Sequence, residues 1–162
     1  LMSPGCAAGF RLLSVNTVMF LNMFNVPQDI VVNQIIGEAV DLVTTAGTID
    51  ITIYSEDGAT QKIAVTSGSI SALGMFAVAV SSVTLTAGNY YLAINTNSTT
   101  NWSTWKMDLD QVTDAFNAYD DTNAKPVACG TITITAGTPP ATIDPTLIVA
   151  DISANLIFQL NN

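Results

Sequence analysis

The residues best placed to do chemistry lie between 101 and 121. Trp102, Trp105, Phe116 and Tyr119 fall within eighteen residues that also hold Asp108, Asp110 and Asp114, with Asn101 just before them. An aromatic face beside amides and carboxylates is what sugar binding uses. The ring covers apolar C–H surface and the polar groups take hydroxyls. Trp102, Trp105 and Tyr119 are the candidate ligand surface. The competing account is that these rings pack a loop onto the core, as large aromatics usually do. Asp108, Asp110 and Asp114 are the candidate Ca²⁺ ligands, because a hard cation takes several oxygens. Asp120 and Asp121 extend the acidic run. The spacing lacks the glycine and terminal glutamate of an EF-hand loop, and a solvated acidic loop fits equally well.

Other chemistries are excluded by residue type. The 162-residue chain has no histidine, which removes Ser-His-Asp and Cys-His nucleophiles and the usual zinc sites. No phosphate-binding loop or dinucleotide fingerprint is present. A glycosidase needs two carboxyl groups about 5–10 Å apart, and nothing selects a pair among the thirteen acids. The expectation is a non-enzymatic protein that needs no cofactor. Cys6 and Cys129 form no metal motif. They either close one long disulfide loop or remain two buried thiols. Asn97-Ser98-Thr99 and Asn101-Trp102-Ser103 match the N-glycosylation pattern, which chance also supplies in an Asn- and Thr-rich chain.

The net charge of −9 comes from thirteen acids against Arg11, Lys62, Lys106 and Lys125. These four scattered cations cannot displace counterions from a nucleic acid, and an anionic membrane surface would repel the chain. The longest apolar stretch, 72–80, is too short to span a bilayer as a helix, which takes roughly 18 residues or more. Neither nucleic-acid binding nor membrane insertion is expected. Half of the residues are apolar (49%) and only 10% are charged. That composition argues for a folded core rather than disorder.

The elements that must position these residues are strands. Ile49, Ile51 and Ile53 alternate with Thr48, Asp50 and Thr52. Ile63 and Val65 alternate with Lys62, Ala64 and Thr66. Phe76, Val78 and Val80 alternate with Ala77, Ala79 and Ser81, and Ile132 and Ile134 sit between threonines. Period two puts one face on a core and the other toward water. Turn signals at 25–29, 46–47, 56–58 and 87–89 separate the runs. The expected strands are 17–25, 30–43, 48–54, 61–67, 75–85, 89–95, 103–108, 128–135 and 155–160, with Gly37 marking a bulge or bend. Residues 108–119 carry Leu109, Val112, Phe116 and Tyr119 at helical spacing, so a short helix or an acidic loop is expected there. The Pro-containing stretch 137–145 reads as extended loop. The expected fold is a single all-β domain over 1–162, an antiparallel sandwich of jelly-roll type. Leu1 suggests processing or a segment of a longer chain.

Four pieces in order carry a resemblance. They are Asn16-Thr17-Val18-Met19-Phe20 leading into Phe24-Asn25-Val26-Pro27; the long strand from Ile30 to Val43; Ile49-Asp50-Ile51-Thr52-Ile53-Tyr54 running into Ser55-Glu56-Asp57-Gly58; and Leu85-Thr86-Ala87-Gly88-Asn89-Tyr90-Tyr91-Leu92-Ala93-Ile94. Residues 16–95 thus resemble a β-sandwich domain of bacteriophage virion proteins of the tail-fibre, head-fibre and decoration type. The last piece also occurs in secreted carbohydrate-binding and adhesion modules. The resemblance implies a jelly-roll-like sandwich on a virion surface, often a homotrimer, in contact with other virion proteins and with a host-surface glycan. It implies no catalytic residues.

The strip Val18, Met19, Phe20, Leu21, Met23, Phe24 is too continuous for a half-exposed strand. It is either buried on both faces of a sheet or packed on a second subunit, with Val18, Phe20 and Phe24 as the candidate interface. A mean hydropathy of +0.42 favours self-association into a closed homo-oligomer. The leading expectation is a structural or adhesive virion component. The alternatives are a secreted, extracellular carbohydrate-binding module and a bacterial surface-filament subunit.

Overall fold

The computed structural model describes residues 7–13, 17–40, 47–96, 102–107, 129–135, 137–150 and 158–161. They form eleven strands: β1 (Ala7–Leu13), β2 (Val18–Val26), β3 (Ile30–Ala39), β4 (Gly47–Ser55), β5 (Gln61–Ile70), β6 (Gly74–Leu85), β7 (Gly88–Thr96), β8 (Trp102–Met107), β9 (Cys129–Thr133), β10 (Val149–Ala150) and β11 (Gln159–Asn161). A 3₁₀ turn spans Pro145–Leu147. No α-helix occurs among the described residues, and none of their helices could cross a membrane. The expected helix or acidic loop at 108–119 lies outside the described residues.

Every strand pairing is antiparallel. The large sheet has the order β10-β9-β2-β7-β4-β5 and the smaller one β11-β3-β6; β1 and β8 form a separate ribbon. The connectivity is nested: β4 pairs with β5, β3 with β6, and β2 with β7. With β1 and β8 as the outermost pair, a long double strand of four pairs has been rolled up, and β7 closes the roll by pairing with β4 as well. This is the jelly-roll pattern, and the two sheets pack as a sandwich.

The core between the sheets takes one parity of β2, β4 and β7, and residues of both parities from β3, β5 and β6. It joins Phe20 and Val26 of β2, Ile49, Ile51 and Ile53 of β4, and Tyr90, Leu92 and Ile94 of β7 to Val32 and Ile35 of β3 and Val78 and Val80 of β6. The opposite parity of the large sheet does not face water, contrary to the simple alternation. Met19, Leu21, Tyr54, Tyr91 and Ala93 form a second buried cluster with Ile143 and Ile148. Asp50 and Thr52, expected on the wet face, are 2% and 0% exposed. The reason is positional. β4 and β7 are interior strands, and part of their outer face lies under the strap 137–150. The Tyr54 hydroxyl donates to the Pro140 carbonyl at 2.5 Å, the Gln61 amide to the same oxygen at 2.9 Å, and the Ile143 N–H to the Gly58 carbonyl at 3.0 Å.

Irregularities appear where parity changes. Between Val32↔Val83 and Gln34↔Ala79, β6 carries extra residues opposite β3. That insertion moves the inward series from Phe76, Val78, Val80 to Val83, Leu85 across the polar pair Ser81-Ser82. Gly37 does not mark the bulge. It pairs regularly with Phe76, and a Cβ there would lie 2.5 Å from the Phe158 ring and 2.6 Å from the Phe76 ring. Glycine at 37 lets the two rings meet edge to face, with centroids 6.2 Å apart. The strand expected at 30–43 is described to Ala39, and that expected at 155–160 is seen as Gln159–Asn161, with 151–157 outside the described residues. β1 and β10 were not expected. Replacing Ile51, fully buried at the centre of the sandwich, with alanine is expected to cost about 2–5 kcal/mol in denaturant unfolding.

Candidate functional site

Three turns meet at one end of the roll: 27–29 after β2, 56–60 after β4 and 86–87 after β6. Asn25 and Asn89 are opposite each other where β2 and β7 enter this end. The Asn25 amide donates to Asn89 Oδ1 at 2.9 Å, and the Asn89 amide donates to Glu56 Oε1 at 3.1 Å. Asp29 Oδ1 accepts the Ala87 N–H at 3.0 Å, tying the first turn to the third. In the middle turn, Asp57 accepts from the Ser55 hydroxyl at 2.5 Å and the Ala59 N–H at 3.0 Å. Those hydrogen bonds, that of Ser55 foremost, hold the Asp57 carboxyl below its ordinary range. Gly58 completes the turn at φ +71°, a conformation that favours glycine. Its N–H donates to the Ser55 carbonyl at 2.8 Å.

The result is an exposed surface built from side chains fixed at their bases. Asp29, Glu56 and Asp57 are exposed, and Ser55, Glu56 and Asp57 line a shallow depression of about 410 Å³. The exposed carboxylates of Asp29, Glu56 and Asp57 can accept hydrogen bonds from hydroxyls or from a cationic partner. Among the described residues no group of three or more His, Cys, Asp or Glu side chains is placed to hold a metal ion.

The sequence candidates are distributed differently. Trp102 and Trp105 lie on β8, opposite Leu13 and Phe10 of β1. Tyr119 and the Ca²⁺ candidates Asp108, Asp110 and Asp114 lie outside the described residues. Cys129 is buried at the start of β9, opposite Asn22, and Cys6 lies outside the described residues. Of the candidate interface, Phe20 is 4% exposed within the sandwich core, and Val18 and Phe24 are half-buried against the same core. The Phe24 ring lies 5.8 Å from that of Tyr90. The described chain therefore uses this strip internally. Asn25, Asn89 and Glu56 were missed as a group. Each belongs to a turn signal, but only the rolled topology brings the three turns together.

Comparison of the chain with protein-family models, curated proteins and solved structures finds no match.

Two tyrosines beneath the strap give the region a pH signature. Burial raises the pKa of Tyr91 to about 12, and the nearby Glu56 charge adds to the shift; burial also raises that of Tyr54. A raised phenol pKa means that folding favours the neutral form. The Tyr91 contribution is present below the unfolded value near 10 and is lost as pH rises toward about 12. Absorbance titration is expected to show Tyr91 ionising well after exposed phenols, with stability falling over that interval. Tyr54→Phe, which removes the donor to Pro140, is expected to cost about 1 kcal/mol and to speed hydrogen exchange at the Ile143 amide.

Proposed function

We propose that this protein is a non-enzymatic structural and adhesive component of a virus particle, of the phage fibre or capsid-decoration type, acting by self-assembly and surface display. The observation that carries the reading is where the four resembling sequence pieces fall. They lie on β2, β3, β4 and β7, strands of the rolled framework itself. Composition agrees with display. Exposed positions along β5 and β6 are largely Ser and Ala with Thr84, and Lys62 is their exposed charge.

The assembly surface lies away from the core residues of the 18–24 strip. Among the described residues, the large apolar side chains that face solvent are Val31, Leu73, Met75, Leu147 and Val149. Homotrimer formation through such positions, with other virion proteins alongside, is the arrangement proposed. The acceptor-rich turn end supports a second reading, a secreted carbohydrate-binding module, because its fixed amides and carboxylates suit sugar hydroxyls.

Light scattering on the purified chain tests the first reading. A discrete closed oligomer, trimer foremost, is expected, and Met75→Asp together with Leu73→Asp is expected to shift it toward monomer. A monomer at every concentration would contradict self-assembly. Binding to a glycan array that is lost on Asn89→Ala or Trp102→Ala would move the second reading to first place.

A further inference from the structure

On the outer face of the large sheet, Ser67, Asp50 and Asn95 form one transverse row. Asp50 is opposite Ser67 on β5 and opposite Asn95 on β7. Their neighbours Ile49, Ile51 and Ile94 point into the sandwich core, so strand parity puts Asp50 and Asn95 on the same outer side. Facing pairs of this kind hold their Cβ atoms about 4.5–5.5 Å apart. Asp50 is 2% exposed and accepts the Ser67 hydroxyl. Asn95 is 0% exposed, and neither its amide nitrogen nor its oxygen has a hydrogen-bond partner within the protein.

A buried carboxamide with both ends unpartnered is costly, and native proteins supply the missing partner. The chemistry of the pair selects what that partner is. A metal cation would satisfy the amide oxygen and repel the NH₂ group. An anion would do the reverse and would meet the Asp50 carboxylate. Only a group that both donates and accepts answers Asn95 and can also donate to Asp50. We propose that the Asp50–Asn95 pair is an internal hydration site, in which water accepts from the Asn95 amide and donates to the Asp50 carboxylate or the Asn95 oxygen. Buried waters of this type typically make about three such bonds and act as part of the fold. The bridge joins β4 to β7, the contact that closes the roll.

A crystal structure at a resolution that shows ordered water tests this. The expected result is a density peak within hydrogen-bonding distance of both Asn95 and Asp50, as well ordered as the surrounding strands. In Asn95→Leu the peak is expected to disappear. Should that variant not fold, the wild-type density decides. Three results would overturn the proposal: no density between the two side chains, an Asn95 amide bonded directly to Asp50, or a peak ringed by the many short oxygen contacts of a metal ion. A thermal-unfolding midpoint raised by Ca²⁺ and lowered by EDTA would equally replace water with a cation.

Discussion

The structure depends on burying the central strands of the large sheet on both faces. β2, β4 and β7 carry apolar side chains at both parities, so one covering layer cannot satisfy them. The three-stranded sheet covers one face with Val32, Ile35, Val78 and Val80. The strap 137–150 covers part of the other with Ile143 and Ile148. Each large side chain withdrawn from water contributes about 1.5–3 kcal/mol, and Met19, Leu21, Tyr54, Tyr91, Ile51 and Ile94 are all fully buried. Close approach at the strap needs small residues. A Cβ at Gly58 would stand 2.3 Å from the Ile143 carbonyl oxygen, and one at Gly130 would stand 2.4 Å from that of Val149.

This double burial explains why some of the fold was legible in the sequence and some was not. The continuous run from Val18 to Phe24 gives no alternation, and a strand buried on both sides was one of its two readings. Where one face does meet water, as at Ala77 and Ala79 against Phe76 and Val78, period two identifies the strand directly. Asp50 and Thr52 misled for the same reason. A polar residue between isoleucines looks solvent-facing unless its neighbours are known, and here Thr52 donates to the Ile63 carbonyl and Asp50 accepts the Ser67 hydroxyl, both from the adjacent strand β5. The strap itself gave little warning, since its Pro- and Thr-rich sequence reads as loop. A local signal was available at its 3₁₀ turn. There Asp144 caps the Thr146 N–H at 2.9 Å immediately before Pro145.

The same logic separates the candidate sites. Residues that converge because strands are rolled together cannot be grouped by spacing. Asn25, Glu56 and Asn89 span 64 positions, yet they form one hydrogen-bonded chain. Trp102 and Trp105 are close in sequence and share β8, which pairs with β1 outside both main sheets. The acidic side chains of the turn end stay exposed, while the apolar demand of the sheet is met inside the chain. On the proposed reading this leaves the turns available for contact with a host surface or with other particle proteins.

The most direct test of double coverage is native-state hydrogen exchange resolved by residue. The account predicts that amides of β2, β4 and β7 are the slowest in the protein and exchange only through global unfolding, as expected for the best-buried cooperative unit. Edge-strand amides of β5 and β10 should exchange sooner, by local opening. Amides of β2 and β7 that exchange as fast as those of β5 would contradict the account, because a sheet covered on both faces has no local route to water.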